Sequence, residues 1–161
     1  STLLNRLIGR KALARISSTP GRTRAINYFL VDSRALFVDL PGFGYAKASK
    51  RERAEWAKLI EAYFERPDNR IHVLQLIDAK VGATPLDEQA FDYLTSLGHA
   101  PTLVATKIDK VGRAKRSAAL ARIERALAGD ADVALIPFSA VSGEGVREPW
   151  KEPDALLEPP R

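Results

Sequence analysis

Apolar residues along this chain fall into short continuous runs that alternate with stretches of helical spacing, the pattern of strands covered on both faces and separated by surface helices. The first stretch is helical: Leu3, Leu4, Leu7 and Ile8 recur at helical intervals, and Gly9 is placed to end the helix. Residues 24–31 and 34–40 are apolar and rich in β-formers, and Asp32-Ser33 between them predicts a hairpin. Residues 51–66 predict a helix with Trp56, Leu59, Ile60 and Tyr63 on one face. In residues 71–78, Ile71, Val73, Leu74, Leu76 and Ile77 leave little room for a water-facing side, so a strand buried on both faces is expected. A helix over 85–97 follows, entered through Thr84 as N-cap and Pro85 in the first turn and closed by Gly98. Then come a strand from Pro101, a helix over 113–128 closed by Gly129, and a strand over 132–137. After Gly145, Pro149, Pro153, Pro159 and Pro160 predict an irregular tail. The fold class expected is α/β, a mostly parallel sheet with one antiparallel strand from the hairpin, and no repeat or interdomain linker interrupts it.

Two short polar runs close strands in this pattern, Asp39-Leu40-Pro41-Gly42 and Thr106-Lys107-Ile108-Asp109. Ligands of open parallel sheets bind outside the carboxyl ends of the strands, so both runs lie where a ligand would sit. Their chemistry fits a guanine nucleotide. Asp39 can hold Mg2+ through water, while the Gly42 amide, bare of a side chain, can approach a terminal phosphate. Asp109 has two acceptor oxygens, suited to the N1–H and exocyclic amine of guanine and without matching donors on adenine. The alkyl stem of Lys107 can lie along the base. Phe138-Ser139-Ala140, after the strand Val133-Ala134-Leu135-Ile136, is placed to offer a backbone amide to the guanine carbonyl. Singly, each run also reads as a strand ending in a solvated turn; their order along the chain is what favours a nucleotide site.

A phosphate loop, Gly-x-x-x-x-Gly-Lys-Ser/Thr, is not present in the chain, and neither is any methionine. Ser1-Thr2 followed by the first helix is what should come after the lysine of such a loop: the Mg2+-binding hydroxyl, then the helix. The expectation is therefore a first, central strand and a phosphate loop upstream of Ser1, and a chain that is inactive and poorly packed without them. The alternative is an ordinary start with Ser1 as an N-cap.

Composition narrows the picture only slightly. The 161 residues suit one domain, with 45% hydrophobic and 28% charged residues. Zero cysteines exclude disulfides and thiolate metal sites, in keeping with a cytoplasmic protein. No apolar run reaches membrane-spanning length, so no membrane partner is expected. A net charge of +5 draws attention to Arg10, Lys11, Arg15, Arg22, Arg24 and the stretch Lys47 to Arg53. Beside the loop that precedes the first strand of the hairpin and the loop that follows Gly42, these residues suit RNA contact or solvation equally. Arg113, Lys115, Arg116, Arg122 and Arg125 lie on a helix with Glu124 among them, and there a solvated face is expected.

Thr19-Pro20-Gly21-Arg22-Thr23-Arg24, Asp39-Leu40-Pro41-Gly42-Phe43-Gly44-Tyr45-Ala46 and Thr106-Lys107-Ile108-Asp109 together resemble the EngB (YihA/YsxC) family of bacterial ribosome-biogenesis GTPases. The likeness runs from Ser1 to about Gly145. It implies a Ras-like phosphate-loop GTPase fold with helices on both faces of the sheet, residues 1–145 as the GTPase domain, and 146–161 as a proline-rich tail where the family usually has a terminal helix. It also implies a cytoplasmic monomer that hydrolyses GTP with Mg2+, partners the rRNA and proteins of the large ribosomal subunit during its assembly, and is needed for septation and cell division. The alternatives are a guanine-nucleotide-binding placeholder that cycles little and, disfavoured by Asp109 after Lys107, a phosphate-loop ATPase.

The nucleotide-contacting set expected is Ser1, Thr2, Gly21, Arg22, Thr23, Arg24, Ala25, Asp39, Leu40, Pro41, Gly42, Thr106, Lys107, Ile108, Asp109, Phe138, Ser139 and Ala140, with Ser1, Thr23 and, through water, Asp39 at the metal. Thr23 is favoured over Thr19 as the first-switch hydroxyl that meets Mg2+ and the terminal phosphate. Phe43 stands where Ras-like proteins carry the glutamine that orients the attacking water, and an apolar ring cannot do so. Slow intrinsic hydrolysis is therefore expected, with no catalytic residue identified. His72, His99, Trp56 and Trp150 read as structural.

Overall fold

The computed structural model describes residues 2–8, 27–31, 35–40, 58, 60–65 and 71–150. Among the described residues, five strands form two hydrogen-bonded sheets, one of two strands and one of three. The two-stranded sheet belongs to a unit spanning 10–70, and the three-stranded sheet to a unit made of 1–9 and 71–161. Both kinds of pairing expected from the sequence, an antiparallel hairpin and a parallel sheet, are present.

In the first unit β1 (Asn27–Val31) runs antiparallel to β2 (Ala35–Asp39). Phe29 pairs directly with Phe37 and is buried, while the neighbouring Leu30–Leu36 pair lies on the other face and is exposed. This is the period-two alternation of a half-covered hairpin, and the aromatic cross-strand pair stabilises it on the covered side. Of the helix expected over 51–66, residues 60–64 are helical, with Ile60 buried. Trp56 and Leu59 lie outside the described residues.

The second unit begins with α1 (Thr2–Ile8), whose Leu4 and Leu7 are buried as their spacing predicts. Its sheet has the order β3 (Leu74–Asp78), β4 (Thr102–Thr106), β5 (Leu135–Pro137), all parallel. β4 is the centre: Leu103, Val104 and Ala105 are wholly buried, which accounts for a strand sequence apolar on both faces. Two helices complete the layer, α2 (Pro85–Ser96) and α3 (Arg113–Leu127). Phe91 of α2 and Ile123 and Leu127 of α3 meet Ile77, Leu103, Ala105 and Ile108 in one core, with Leu120 packed against it. Leu120, Ile123 and Leu127 are one helical stripe.

α2 starts where Thr84 and Pro85 indicated. Thr84 Oγ1 accepts a hydrogen bond from the Asp87 amide at 3.4 Å, and the Thr84 amide donates to Asp87 Oδ2 at 2.8 Å, a reciprocal capping box. Gln75 Nε2 of β3 donates to the Asp87 carbonyl at 2.7 Å and fastens this first turn to the sheet. The helix ends at Gly98, φ +82°, with the Gly98 amide donating to the Thr95 carbonyl and the His99 amide to that of Leu94. That doubled return is the Schellman geometry, and it needs a residue at ease in the left-handed region.

Two expectations are corrected. Residues 71–78 were expected to be buried on both faces, yet Leu76 is 48% exposed while Gln75 and Ile77 beside it are buried. Among the described residues β3 has a partner strand on one side only, so neighbours screen its outer face on that side alone. In the expected tail, Glu148–Trp150 form one 3-10 turn, and 151–161 lie outside the described residues. Strand ends also retreat from the apolar runs, with β5 covering three residues of the six expected.

Gly145 (φ +72°) is the tightest point of this unit. A Cβ there would collide with the Pro137 carbonyl oxygen and come within 3.2 Å of Phe138 Cα. Gly98 has the same sign of φ but nothing within 4 Å of a Cβ position. Gly98→Ala should therefore cost only the left-handed strain, roughly 1–2 kcal/mol, and Gly145→Ala clearly more, because the strand end must also move. Denaturant unfolding of the two variants checks the order.

Candidate guanine-base site

Parallel pairing places the carboxyl ends of β3, β4 and β5 side by side, so Asp78, Thr106 and Pro137 end at one edge of the sheet. Beyond that edge the backbone continues the ladder. The Ala79 amide donates to the Thr106 carbonyl at 2.9 Å, the Phe138 amide to Ala105 at 2.9 Å, and the Ile108 amide to Phe138 at 3.1 Å. Thr106 Oγ1 donates to the Ile77 carbonyl at 2.9 Å, so this threonine serves the seam between β3 and β4.

The chain then turns sharply. Lys107 is the one non-glycine residue with positive φ (+57°) among the described residues, and it caps a 3-10 turn over Ile108–Lys110. A left-handed lysine costs about 1–2 kcal/mol. Ile108, wholly buried in the core, holds the turn down and offsets that strain. The result is that Lys107 and Asp109, either side of the buried Ile108, are presented outward from the strand end.

Asp109 is met by the next loop. Ser139 Oγ donates to Asp109 Oδ1 at 2.6 Å and itself accepts the amides of Val141 at 3.2 Å and Ser142 at 3.1 Å. Lys110 Nζ stands 4.0 Å from Asp109 Oδ2. One carboxylate oxygen is thus held by a buried serine, which narrows the orientations open to the carboxylate. The Gly143 amide donates to the Ser139 carbonyl and the Ser139 amide to that of Glu144, both at 2.9 Å. The Ala140 amide, by contrast, donates no hydrogen bond among the described residues. Ser139 and Phe138 are buried; Ala140 is half-buried.

Sequence reasoning missed Asp78. Lys107 Nζ donates to Asp78 Oδ2 at 2.7 Å, and Asp78 Oδ1 accepts the Lys80 amide at 2.9 Å. A carboxylate closing the strand next to the lysine's own strand was the available signal, and parallel pairing turns it into a contact. Burial works to raise the Asp78 carboxyl, but the hydrogen bonds from Lys107, Lys80 and Val81 and the charge of the ammonium outweigh it and hold the group below 3.8. The hydrogen bond to Asp78, then its charge, raises the Lys107 ammonium above 10.5.

The other expected site residues are distributed as follows. Asp39 closes β2 and is exposed, with Leu40 after it. Thr2 opens α1. Ser1, Gly21, Arg22, Thr23, Arg24, Ala25, Pro41 and Gly42 lie outside the described residues, as do Thr19 and Phe43. No cluster of three or more His, Cys, Asp or Glu side chains suited to a metal occurs among the described residues.

Parallel strands ending in a lysine–aspartate turn and a serine-pinned carboxylate belong to the class of Ras-like α/β GTPases, and comparison with known proteins bears this out. The family described as "50S ribosome-binding GTPase" matches residues 1–107. A probable GTP-binding protein EngB from Pelotomaculum thermopropionicum is 47% identical over 148 residues, covering 92% of this chain and 75% of the relative. A crystal structure of a probable GTP-binding protein EngB superposes with a TM-score of 0.74 at 22% identity, covering 98% of this chain and 91% of the other. The structure of Era in complex with MgGDPNP and part of 16S ribosomal RNA reaches 0.69 at 26% identity, covering 100% and 53%. The chain belongs to the EngB family of GTP-binding proteins and is a GTPase.

The Asp78–Lys107 pair carries a pH signature. Asp78 is held below its ordinary value, so its contribution is complete above about pH 3.8 and is lost as pH falls through the lowered folded value. An NMR titration of the Asp78 carboxyl carbon should show a midpoint below 3.8. Lys107→Gln should move that midpoint upward, and an unchanged midpoint would mean that the ion pair does not set it.

Proposed function

We propose that Asp109, Lys107, Ser139 and Ala140 form the base site of a GTP-hydrolysing protein that acts with Mg2+ in assembly of the large ribosomal subunit. The observation that carries the base site is the pairing of a serine-pinned carboxylate with a spare amide in the adjoining loop. Asp109 supplies acceptors for N1–H and the exocyclic amine; the Ala140 amide supplies a donor for the carbonyl between them. Lys107, held by Asp78, lays its stem along the base. Adenine reverses the donor and acceptor at these positions and would leave both groups unmatched.

Residues 1–145 make up the GTPase domain in this reading, and 146–161 a C-terminal tail. Ser1, Thr23 and, through water, Asp39 would hold Mg2+. A single carboxylate with hydroxyls and waters suits an ion that dehydrates reluctantly and relies on phosphate oxygens, and the exposed end of β2 leaves Asp39 room for such a water. Bound there, the ion would neutralise charge developing on the phosphates. Thr23 would close on the triphosphate state, and Gly21, Arg22, Arg24, Ala25, Pro41 and Gly42 would line the two switch loops. The large-subunit role rests on the matched family's description, "50S ribosome-binding GTPase"; the Era structure, with a magnesium nucleotide and 16S ribosomal RNA, is a fold relative that binds ribosomal RNA and says nothing of the large subunit. A cytoplasmic monomer also needed for cell division completes the reading, and no described helix is long and apolar enough to cross a membrane.

Asp109→Asn in the full-length protein should weaken GTP binding by about 2–3 kcal/mol and shift preference toward xanthosine triphosphate, because the amide donates to the carbonyl that replaces guanine's amine. Unchanged GTP affinity, measured by equilibrium titration, would remove Asp109 from the base site. For the ribosomal role, co-sedimentation with large-subunit particles should be stronger with a non-hydrolysable GTP analogue than with GDP and should weaken at high salt. Association indifferent to both would count against a nucleotide-switched RNA contact.

A further inference from the structure

Four of the five basic residues expected on the solvated face of α3 are exposed there: Arg113, Lys115, Arg122 and Arg125. Arg116 is not. Its Nε donates to the Val111 carbonyl at 3.1 Å, and its Nη1 donates to Glu144 Oε2 at 2.9 Å and Oε1 at 3.3 Å. Each contact lies just behind one of the two segments of the base site. The Val111 amide donates to the Ile108 carbonyl and so closes the turn that carries Asp109. The Glu144 carbonyl accepts the Ser139 amide and so closes the loop that carries Ser139 and Ala140. With the Ser139–Asp109 bond, these contacts make a closed ring: Asp109, Ser139, Glu144, Arg116, Val111 and back through the turn.

We propose that Arg116 is a positioning residue which, through Glu144, sets the spacing of the two base-reading segments and thereby the discrimination of guanine from related bases. The inference rests on the base site proposed above. Guanine must meet Asp109 on one segment and the Ala140 amide on the other at the same time. Hydrogen bonds lose strength steeply with angle, so a loop free to drift by a fraction of an ångström satisfies one contact at the other's expense. The remaining cross-links near the site, from the Ile108 amide to the Phe138 carbonyl and from the Phe138 amide to that of Ala105, fix the strand ends but not the distal part of the loop. Arg116 reaches that distal part. Its fork is rigid, donates in two directions at once and loses little freedom when it does so, which a lysine could not match. With the side chains of Arg116 and Glu144 26% and 40% exposed, such a pair adds little to global stability, so its consequence should appear in the geometry of recognition.

The test uses full-length protein and two readouts: the dissociation rate of fluorescently labelled GDP, and the ratio of GDP to IDP affinity. IDP lacks only the exocyclic amine, so the ratio reports how well Asp109 is held. Arg116→Ala should release GDP about tenfold faster and narrow the ratio several-fold, and Glu144→Gln should do the same to a lesser degree. The double variant should be no worse than Arg116→Ala, since both break one strap. Arg116→Lys, which keeps the charge but not the fork, should not restore the ratio. If Arg116→Ala folds poorly, Glu144→Gln decides, because it keeps the backbone contact to Ser139. Wild-type release and an unchanged ratio in both single variants would overturn the strap. If Asp109→Asn shifts preference to xanthine while these variants do nothing, the strap alone fails. If Asp109→Asn has no effect either, the base site fails and the strap with it.

Discussion

The hydrogen bonds that β4 makes to both of its parallel neighbours are the constraint on which the rest of the described site depends. They bring the ends of three strands, widely separated in sequence, to a common edge, and they do so in a strand whose Leu103, Val104 and Ala105 see no solvent. A buried strand must pair its amides and carbonyls on both sides, since unpaired groups there cost about 1–3 kcal/mol each. Register is therefore fixed far from the surface, and a shift of one residue would turn the core face outward. The polar turn that follows Thr106 inherits that precision. Its position is a property of the core rather than of the loop.

Strain and charge are then concentrated at the edge. Lys107 takes a left-handed conformation that its side chain disfavours, and the burial of Ile108 holds it there. The ammonium that emerges is paired with Asp78, whose other oxygen is committed to the Lys80 and Val81 amides. The lysine stem is thus directed by the end of the adjacent strand, not by its own loop. Because the pair is largely exposed its contribution to folding is small, and its significance lies in direction.

Much of this was legible in the chain. The Thr84–Pro85 start of α2, its end at Gly98, and the placement of Thr106–Asp109 and Phe138–Ala140 at strand ends follow from local rules of capping, turn chemistry and parallel topology. Leu76 was misjudged because a run of apolar residues does not reveal on how many sides neighbours screen its strand. Asp78 was visible as a strand-end carboxylate, yet its partner is 29 residues away and appears only once β3 and β4 pair. Arg116 was counted among solvated helix residues, for its spacing on α3 resembles that of its exposed neighbours. Nothing in the helix sequence marks one arginine of four as bridging to Glu144, 28 residues later. Local patterns carry the elements and the motif positions; the contacts between motifs belong to the tertiary structure.

In the base site proposed above, the arrangement at Asp109 is what would let a surface turn discriminate between bases. A carboxylate free to rotate would present its oxygens in many directions, and a ligand would bear the cost of ordering it. Here Ser139 is buried and holds one oxygen while accepting two amides of its own loop, which reduces the freedom that a ligand would have to remove. The Ala140 amide is left over by the same pattern: the loop engages the amides on either side of it and not this one. A donor and an acceptor pair held ready in this way reject a base of opposite polarity by leaving both unsatisfied, a larger penalty than the loss of a contact in an adaptable pocket. The loop that holds this arrangement passes through Gly145, where the backbone comes too close to the Pro137 carbonyl for any side chain to fit.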